Sequence, residues 1–518
     1  MSEPYWSDDR ITLHLGDCLD VMREMPDASV DAVVTDPPSA ISFMGKSWDG
    51  DRGGRDRWIA WLAERMAEAC RVLKPGGHAL VWSLPRTSGW TQMALEDAGF
   101  EVRDCIVHIF GSGYPKSLDV SKAIDKLKRR DYVLAAIELG LEIPGNNLHD
   151  WTKAEHSPGD IWWEKFKSHL SAEDWQRVER AVIGEGYRVR RDSAVQIVGL
   201  SEGAYSLTAP ATEDAALWDG WGTSLKPGQE MWWLVRKPLA GTVAATVLEY
   251  GTGALNIAAC KVGAEQRTNN AGGSSSLQRV SRVESGYRPT VATSEGEASE
   301  VSGRWPANIV FTHSVACQEL GTRKVKGITG GTGHHGNSVY GKLNYDEGVP
   351  VKDYADADGT ETVEAWDCAP ACPVLELDRQ SGASISRIGR PRRSAAPGDG
   401  YGMTHTGSEY ADHGGASRFF HTFRYQAKAP SSERPRGDDG SAHVTVKSLG
   451  LMRHFVRLIT PPGGTVLDCY AGSGPTAEAC LIEGFNCILI ELERPSAELI
   501  RTRLRKDIQP VMFGTEAS

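Results

Sequence analysis

The residues best equipped for chemistry lie near the two ends of the chain. At Thr35-Asp36-Pro37-Pro38-Ser39 a carboxylate precedes two prolines, which stiffen the backbone and set the direction of the Pro37 carbonyl. A carboxylate and a carbonyl held in this way can both accept from one exocyclic amine, making its nitrogen a better nucleophile towards a methyl group. Asp-Pro also starts ordinary turns, so the same residues read as a plain strand terminator. Towards the other end, Asp468 precedes Ala471-Gly472-Ser473-Gly474, a tight turn whose glycines let a ligand approach a helix N-terminus. Glu491 follows Gly472 by nineteen residues, where an acidic group can accept from ribose hydroxyls. The turn is shorter than a dinucleotide fingerprint and lacks the P-loop lysine, which suits an adenosyl ligand without a phosphate chain; the alternative is a βα turn with a capping role. A third set pairs His313 with Cys317 and Cys368 with Cys372, each at i and i+4. These four fit a tetrahedral zinc site pinning a long loop, or two unrelated buried cysteine pairs, or a cytosolic dithiol.

Alternating strands and helices must position these groups. Residues 11–15 alternate, and residues 30–35 form an apolar run of the buried parallel-strand kind, ending at Asp36. Trp58, Leu62, Met66, Ala69 and Val72 repeat at helical spacing, and Lys74-Pro75-Gly76-Gly77 is expected to stop that helix before a strand at residues 78–82. A further helix–strand pair runs through Phe110. Near the C-terminus a helix from Leu449 to Ile459, a strand at 466–468, the glycine turn, a helix at 476–483, a strand at 487–491 and a last helix through Arg505 form a βαβ unit. The expected fold is α/β, a doubly wound Rossmann-like sheet assembled from N- and C-terminal segments. The expected organisation is a first half at 1–118, a helical insert at 119–200, an irregular loop region at 201–440 and a last half at 441–518. Residues 119–185 read as helical and rich in Trp, Lys and Glu, residues 264–303 as a mobile Ser/Gly/Glu-rich loop, and 327–362 and 394–416 as polar and Gly-rich.

The 518 residues carry 57 basic and 68 acidic side chains, a net charge of −11. That balance does not favour a nucleic-acid partner, but only a contacting face need be positive. Basic clusters exist at Lys126, Lys128, Arg129 and Arg130, at Arg188, Arg190 and Arg191, and at Arg387, Arg390, Arg392 and Arg393; the last suits phosphate contacts, and each reads equally as a solvated surface. No apolar run reaches the roughly 20 residues of a membrane span. The N-terminus has no secretory pattern and the ten cysteines are too dilute for a disulfide scaffold, so the expected location is the cytoplasm.

Taken together, the Asp36 and Gly472 segments resemble motifs IV and I of S-adenosylmethionine-dependent DNA amino-methyltransferases, in the order of the permuted β class. Leu15-Gly16-Asp17-Cys18 is similar to the strand end that contacts the cofactor's adenine in that family, and Arg71-Val72-Leu73-Lys74-Pro75-Gly76-Gly77 to its helix–turn–strand. His443-Val444-Thr445-Val446-Lys447-Ser448 resembles the segment leading into motif X. The segments at 41–49, 110–117, 218–223 and 251–257 are similar to those of phage and prophage members. The resemblance covers residues 10–120 and 205–505 and leaves the insert outside. It implies a catalytic role for the first half at 1–118, target recognition for 201–440 and cofactor binding for the last half at 441–518.

The resemblance implies methyl transfer from S-adenosylmethionine to an amine of a base flipped out of double-stranded DNA. Asp36 with Pro37, Pro38 and Ser39 would hold the amine. Asp17, Cys18, Asp468, Ala471, Gly472, Gly474 and Glu491 would bind the cofactor, with Lys447 near its methionine end. Asp at the head of motif IV implies adenine N6 ahead of cytosine N4. Two rivals remain at this point: transfer of another group or onto a modified base, and a non-catalytic DNA-binding protein on the same fold. The sequence departs from the family at Ser39, usually aromatic, at Ala40, Val444 and Ser448, and at Cys469-Tyr470 and Pro475 in motif I. These departures imply a larger or more polar pocket. Oligomeric state, monomer or homodimer, is not legible.

Overall fold

The computed structural model describes residues 3–42, 47–111, 117–138, 176–177, 179–188, 203–271, 296–314, 317–326, 360–370, 372–385, 413–423 and 446–505. The chain divides into two units, one of residues 1–112 with 229–518 and one of residues 113–228.

The first unit is organised on a ten-stranded sheet. Its strands in chain order are β1 (Trp6–Ser7), β2 (Ile11–Leu15), β3 (Val30–Thr35), β4 (Leu73–Ser83), β5 (Glu101–Ile109), β6 (Gln229–Arg236), β7 (Ile309–Thr312), β8 (His421–Phe423), β9 (Thr465–Asp468) and β10 (Asn486–Glu491). Their spatial order is β1-β2-β10-β9-β3-β4-β6-β5-β7-β8. The five strands β2, β10, β9, β3 and β4 run parallel, so the carboxyl ends carrying Asp17, Glu491, Asp468 and Asp36 emerge along one edge. β6 enters antiparallel between β4 and β5, and therefore brings its first residues to that same edge.

The doubly wound expectation follows from burial on both faces. Every residue of β3 is buried, as a strand covered on both sides must be. Ala32 and Val34 face one core with Leu451, Phe455, Ala477 and Ile500, while Val33 faces the other with Trp58, Leu62, Met66 and Leu95. Helices α1 (Cys18–Glu24), α2 (Arg55–Val72) and α3 (Ser88–Asp97) cover the second face. Helices α4 (Leu449–Ile459), α5 (Pro475–Glu483) and α6 (Arg494–Leu504) cover the first.

Four details differ from the sequence reading. β4 starts at Leu73, so Lys74-Pro75-Gly76-Gly77 lies inside a strand. There Gly76 adopts φ +74° and donates to the Lys237 carbonyl, while the Thr252 hydroxyl holds the Pro75 carbonyl at 2.6 Å. The helix does stop at Val72, as expected; the difference is that the next strand begins at once and takes in this segment, with neighbouring chain satisfying its bend. Residues 262–304 include an antiparallel pairing of Val262–Ala271 with Gly296–Arg304, because cross-strand backbone bonds compensate for poor strand formers. The region 201–440, read as recognition and loops, donates β6, β7 and β8 to the main sheet. In the second unit the helix Val120–Glu138 is followed by a paired Val182–Arg188 and Gly203–Thr208, so the span read as helical also contains strand. That unit is anchored by Asp125, 1% exposed, which pairs with Arg180 at 2.7 Å and accepts from the backbone of Ala211 and Thr212.

Candidate functional site

The glycine turn is shaped by its own sequence. Gly472 and Gly474 take φ +55° and +76°, conformations that an L side chain resists. A Cβ on Gly474 would also meet Ile500 at 3.1 Å. The Ala471 N–H donates to Ile490, and Gly474 closes the turn onto the Ala471 carbonyl at 2.8 Å. Behind the turn, fully buried Arg503 donates to the Ser473 carbonyl at 2.7 Å and pairs with Glu478.

Glu491 closes the turn from the neighbouring strand. Its Oε2 accepts from the Gly472 N–H at 2.7 Å and its Oε1 from the Glu493 N–H at 2.9 Å. Burial outweighs these donors and pushes its carboxyl up to about 7. A carboxylate offers about four lone-pair sites, so two are left for ligand hydroxyls. The turn 468–476 contains no basic residue. The donor set therefore fits an adenosyl group better than a phosphate chain.

Asp468 is engaged mainly within the protein. Its oxygens accept from the Thr35 hydroxyl at 2.9 Å, the Thr476 hydroxyl at 2.5 Å and the Tyr470 N–H at 3.2 Å. Burial pushes it up to about 6. Asp468 is thus a strut between β3 and the glycine turn, fixing Asp36 relative to the cofactor-type turn. Asp17 likewise caps α1, accepting from the Leu19 N–H at 2.8 Å, and pairs with Arg65 at 3.2 Å. Cys18 is buried beside it, and burial pushes its thiol up to about 11.

Asp36 stands one residue past the end of β3, with its side chain 29% exposed. Burial pushes its carboxyl above the ordinary carboxylate range despite the Lys447 ammonium 3.1 Å away. Lys447 also lies 3.6 Å from Glu230 and 3.7 Å above the Trp82 ring. Glu230 accepts from the Trp82 indole at 2.9 Å and faces His108 at 3.9 Å. Burial acts to raise Glu230, but the Lys447 charge with the His108 and Trp82 contacts wins and holds it at about 2. Lys447 thus bridges Asp36 and Glu230. The sequence reading missed Glu230, Trp82 and His108.

Pro37 is buried and Pro38 half-buried. The Ser39 hydroxyl donates to Asp49 at 3.0 Å, its N–H also donates to Asp49, and its carbonyl accepts from Thr87 at 3.0 Å. The hydroxyl that replaces the expected aromatic is thus engaged in holding the loop. Ala40 and Ser42 take φ +63° and +49°.

His313, Cys317, Cys368 and Cys372 do converge, their ligand-type atoms all lying within 4.8 Å of one another. His313 follows the carboxyl end of β7, so the set lies at the same edge of the sheet as Asp36, with β4, β6 and β5 between the two strands. Arg387, Arg390, Arg392 and Arg393 lie outside the described residues, as do Val444 and most of the phage-like segment at 110–117. Among the described residues no helix is long and apolar enough to cross a membrane.

The sequence profile of a family described as DNA methylase matches residues 30–171 and 350–501, more than half of the chain. Type II methyltransferase M.BamHI of Bacillus amyloliquefaciens is 31% identical over 84 residues, 16% of this chain and 20% of its own. Type II methyltransferase M.BglII of Bacillus subtilis is 33% identical over 72 residues, 14% of this chain and 19% of its own. The chain thus spans about a fifth of the length of these curated relatives. Among solved structures, the cytosine-N4-specific PvuII DNA methyltransferase aligns at TM-score 0.35 and 10% identity, covering 98% of this chain and 91% of that one.

Proposed function

The chain belongs to the N6/N4 DNA methylase family, and from that membership we propose that it methylates an exocyclic amine of a base flipped from double-stranded DNA, adenine N6 first, with S-adenosylmethionine as donor. The observation that carries this reading is the joining of two half-sites. Asp36 and the glycine turn come from opposite ends of the chain, yet Thr35 and Asp468 bond directly at 2.9 Å. The permuted order of a β-class enzyme fits this assembly.

In this reading the cofactor supplies an electrophilic methyl group on a sulfonium. Glu491 accepts from ribose hydroxyls, and the Gly472–Gly474 backbone admits the ligand closely. Cys18 and Asp17 border the adenine side, with Asp17 held by Arg65. The Asp36 carboxylate and the Pro37 carbonyl accept from the target amine and orient its lone pair. Burial raises the basicity of Asp36, which suits it to receive the proton the amine loses. Lys447 is a donor of the same kind as the amine and already engages Asp36. A bound base therefore shares Asp36 with Lys447 or moves it towards Glu230. Flipping costs a few kcal/mol of unstacking, and the Arg387, Arg390, Arg392 and Arg393 cluster is assigned to phosphate contacts that help to offset it.

The test uses the full chain, labelled S-adenosylmethionine and DNA, with mass spectrometry of the product nucleosides. N6-methyladenine is expected, and Asp36→Ala should abolish transfer while calorimetry still detects cofactor binding. N4-methylcytosine in its place reassigns the base. Cofactor binding without transfer to any DNA replaces this reading with the non-catalytic one.

A further inference from the structure

We propose that His313, Cys317, Cys368 and Cys372 bind one structural zinc ion that clamps the base of a long excursion of the chain to the edge of the main sheet. Three thiols and one imidazole meet around a single point. The Sγ atoms of Cys368 and Cys372 lie 3.4 and 3.6 Å from the Nδ1 of His313. With Zn–N near 2.0–2.1 Å and Zn–S near 2.3 Å, the N···S edge of a tetrahedron is about 3.6 Å. The separations are thus those of ligands around one small ion. All four residues are buried or half-buried, and all three thiols are free. The set is the Cys3His type that zinc takes in closed structural sites.

The surroundings are those of a supported metal site. The Trp366 ring stacks on His313 with centroids 4.0 Å apart and planes at 16°, which fixes the plane of the imidazole. The Ala369 N–H donates to the Cys317 sulfur at 3.3 Å. Cys372 stands at the N-terminal boundary of the helix Pro373–Ser381, whose dipole favours a thiolate there.

Placement gives the ion its task. His313 follows β7 directly, and its N–H donates to Phe423 of β8. Cys317 precedes the strand Gln318–Lys326, which pairs with Thr360–Asp367, and Cys368 follows that pair at once. The four ligands therefore sit where the chain leaves the sheet and where it returns. Among the described residues the apolar cluster here is small: Phe311, Cys317, Cys372 and Val374 are buried, with Ile109, Ile309, Trp366, Leu377 and Phe420 half-buried against them, and Leu320 on the first strand is 64% exposed. A metal replaces a core where one is too small to hold a fold by itself.

The test is metal analysis of the full chain purified without chelators, together with uptake of Co2+ by chain stripped of metal. About one zinc per chain is expected, and the cobalt form should show thiolate charge transfer and the strong visible bands of tetrahedral coordination. Cys368→Ser should lose most of the metal and Cys105→Ser should keep it. Removal of zinc should speed amide exchange in Gln318–Lys326 and Thr360–Asp367 while leaving β3 protected. Absence of zinc with no tetrahedral cobalt spectrum overturns the proposal, as does equal metal loss in the two serine variants or a disulfide among Cys317, Cys368 and Cys372. The cobalt spectrum of the native chain decides the matter even if Cys368→Ser fails to fold.

Discussion

Cofactor affinity should depend on pH through Glu491. Its carboxyl is raised from 4.5 to about 7 by burial. In this state it is roughly nine-tenths ionised at pH 8 and one-tenth ionised at pH 6. Ligand hydroxyls that donate to Glu491 bond the ionised, acceptor-only form more strongly than the protonated one, and the limit is set by binding to the ionised form alone. Affinity should therefore fall by up to about tenfold from pH 8 to pH 6, or about 1.4 kcal/mol. The sign for stability is opposite. Between 4.5 and about 7 the folded chain holds a proton that the unfolded chain has released. The ligand-free protein thus loses this contribution to stability as pH rises through that window. Calorimetric titration with S-adenosylhomocysteine at pH 6, 7 and 8 measures the affinity, and repetition in buffers of different ionisation enthalpy counts the protons released. Glu491→Gln is the control: it keeps the shape, removes the titration, and cancels any titration of the ligand itself. It should bind more weakly at pH 8 and lose most of the slope. A flat wild-type affinity, or an equal slope in Glu491→Gln, would refute the assignment of Glu491 to the ligand.

Gly474→Ala combines a left-handed backbone at φ +76° with a Cβ pressed on Ile500, so thermal or denaturant unfolding should show a loss of about 1–2 kcal/mol, with weaker cofactor binding. Arg503→Met leaves Glu478 buried without its charge partner and should cost about 3–5 kcal/mol; adding Glu478→Gln should recover part of it, as a denaturation double-mutant cycle would show. Asp49→Ala should destabilise more than Ser39→Ala, because it strands both the N–H and the hydroxyl of Ser39; chemical denaturation compares the two.

Much of the parallel half of the fold was legible because its signals are local. The run at 30–35, the helix Leu449–Ile459 and the turn at Gly472 each declare themselves within a dozen residues. β6 was not legible: Leu234 pairs with Leu80 on one side and Asp104 on the other, and neither partner is near in sequence. Glu230 was missed for the same reason, since its partner Trp82 is reached only across the sheet. At the site, residue types indicated which carboxylates mattered but not how their oxygens are spent. Asp468 reads from sequence as a cofactor ligand, with no sign there that two hydroxyls and an N–H already take three of its acceptor sites. Spacing suggested the His313–Cys372 set, but only the return of the chain at Asp367 brings its halves together.

The pairing of β3 with β9 also sets a schedule for making the protein. Ala32 meets Val466, so a strand buried on both faces acquires this neighbour only after more than four hundred further residues have been synthesised. At about 5–20 residues per second the wait is roughly 20–90 s. Throughout it the nascent N-terminal segment carries an apolar strand with one edge unpaired, a species open to wrong association. A chain cut short before Thr465 would keep Asp36 and lose the strand beside it, so ribosome stalling late in this message should yield aggregation-prone fragments.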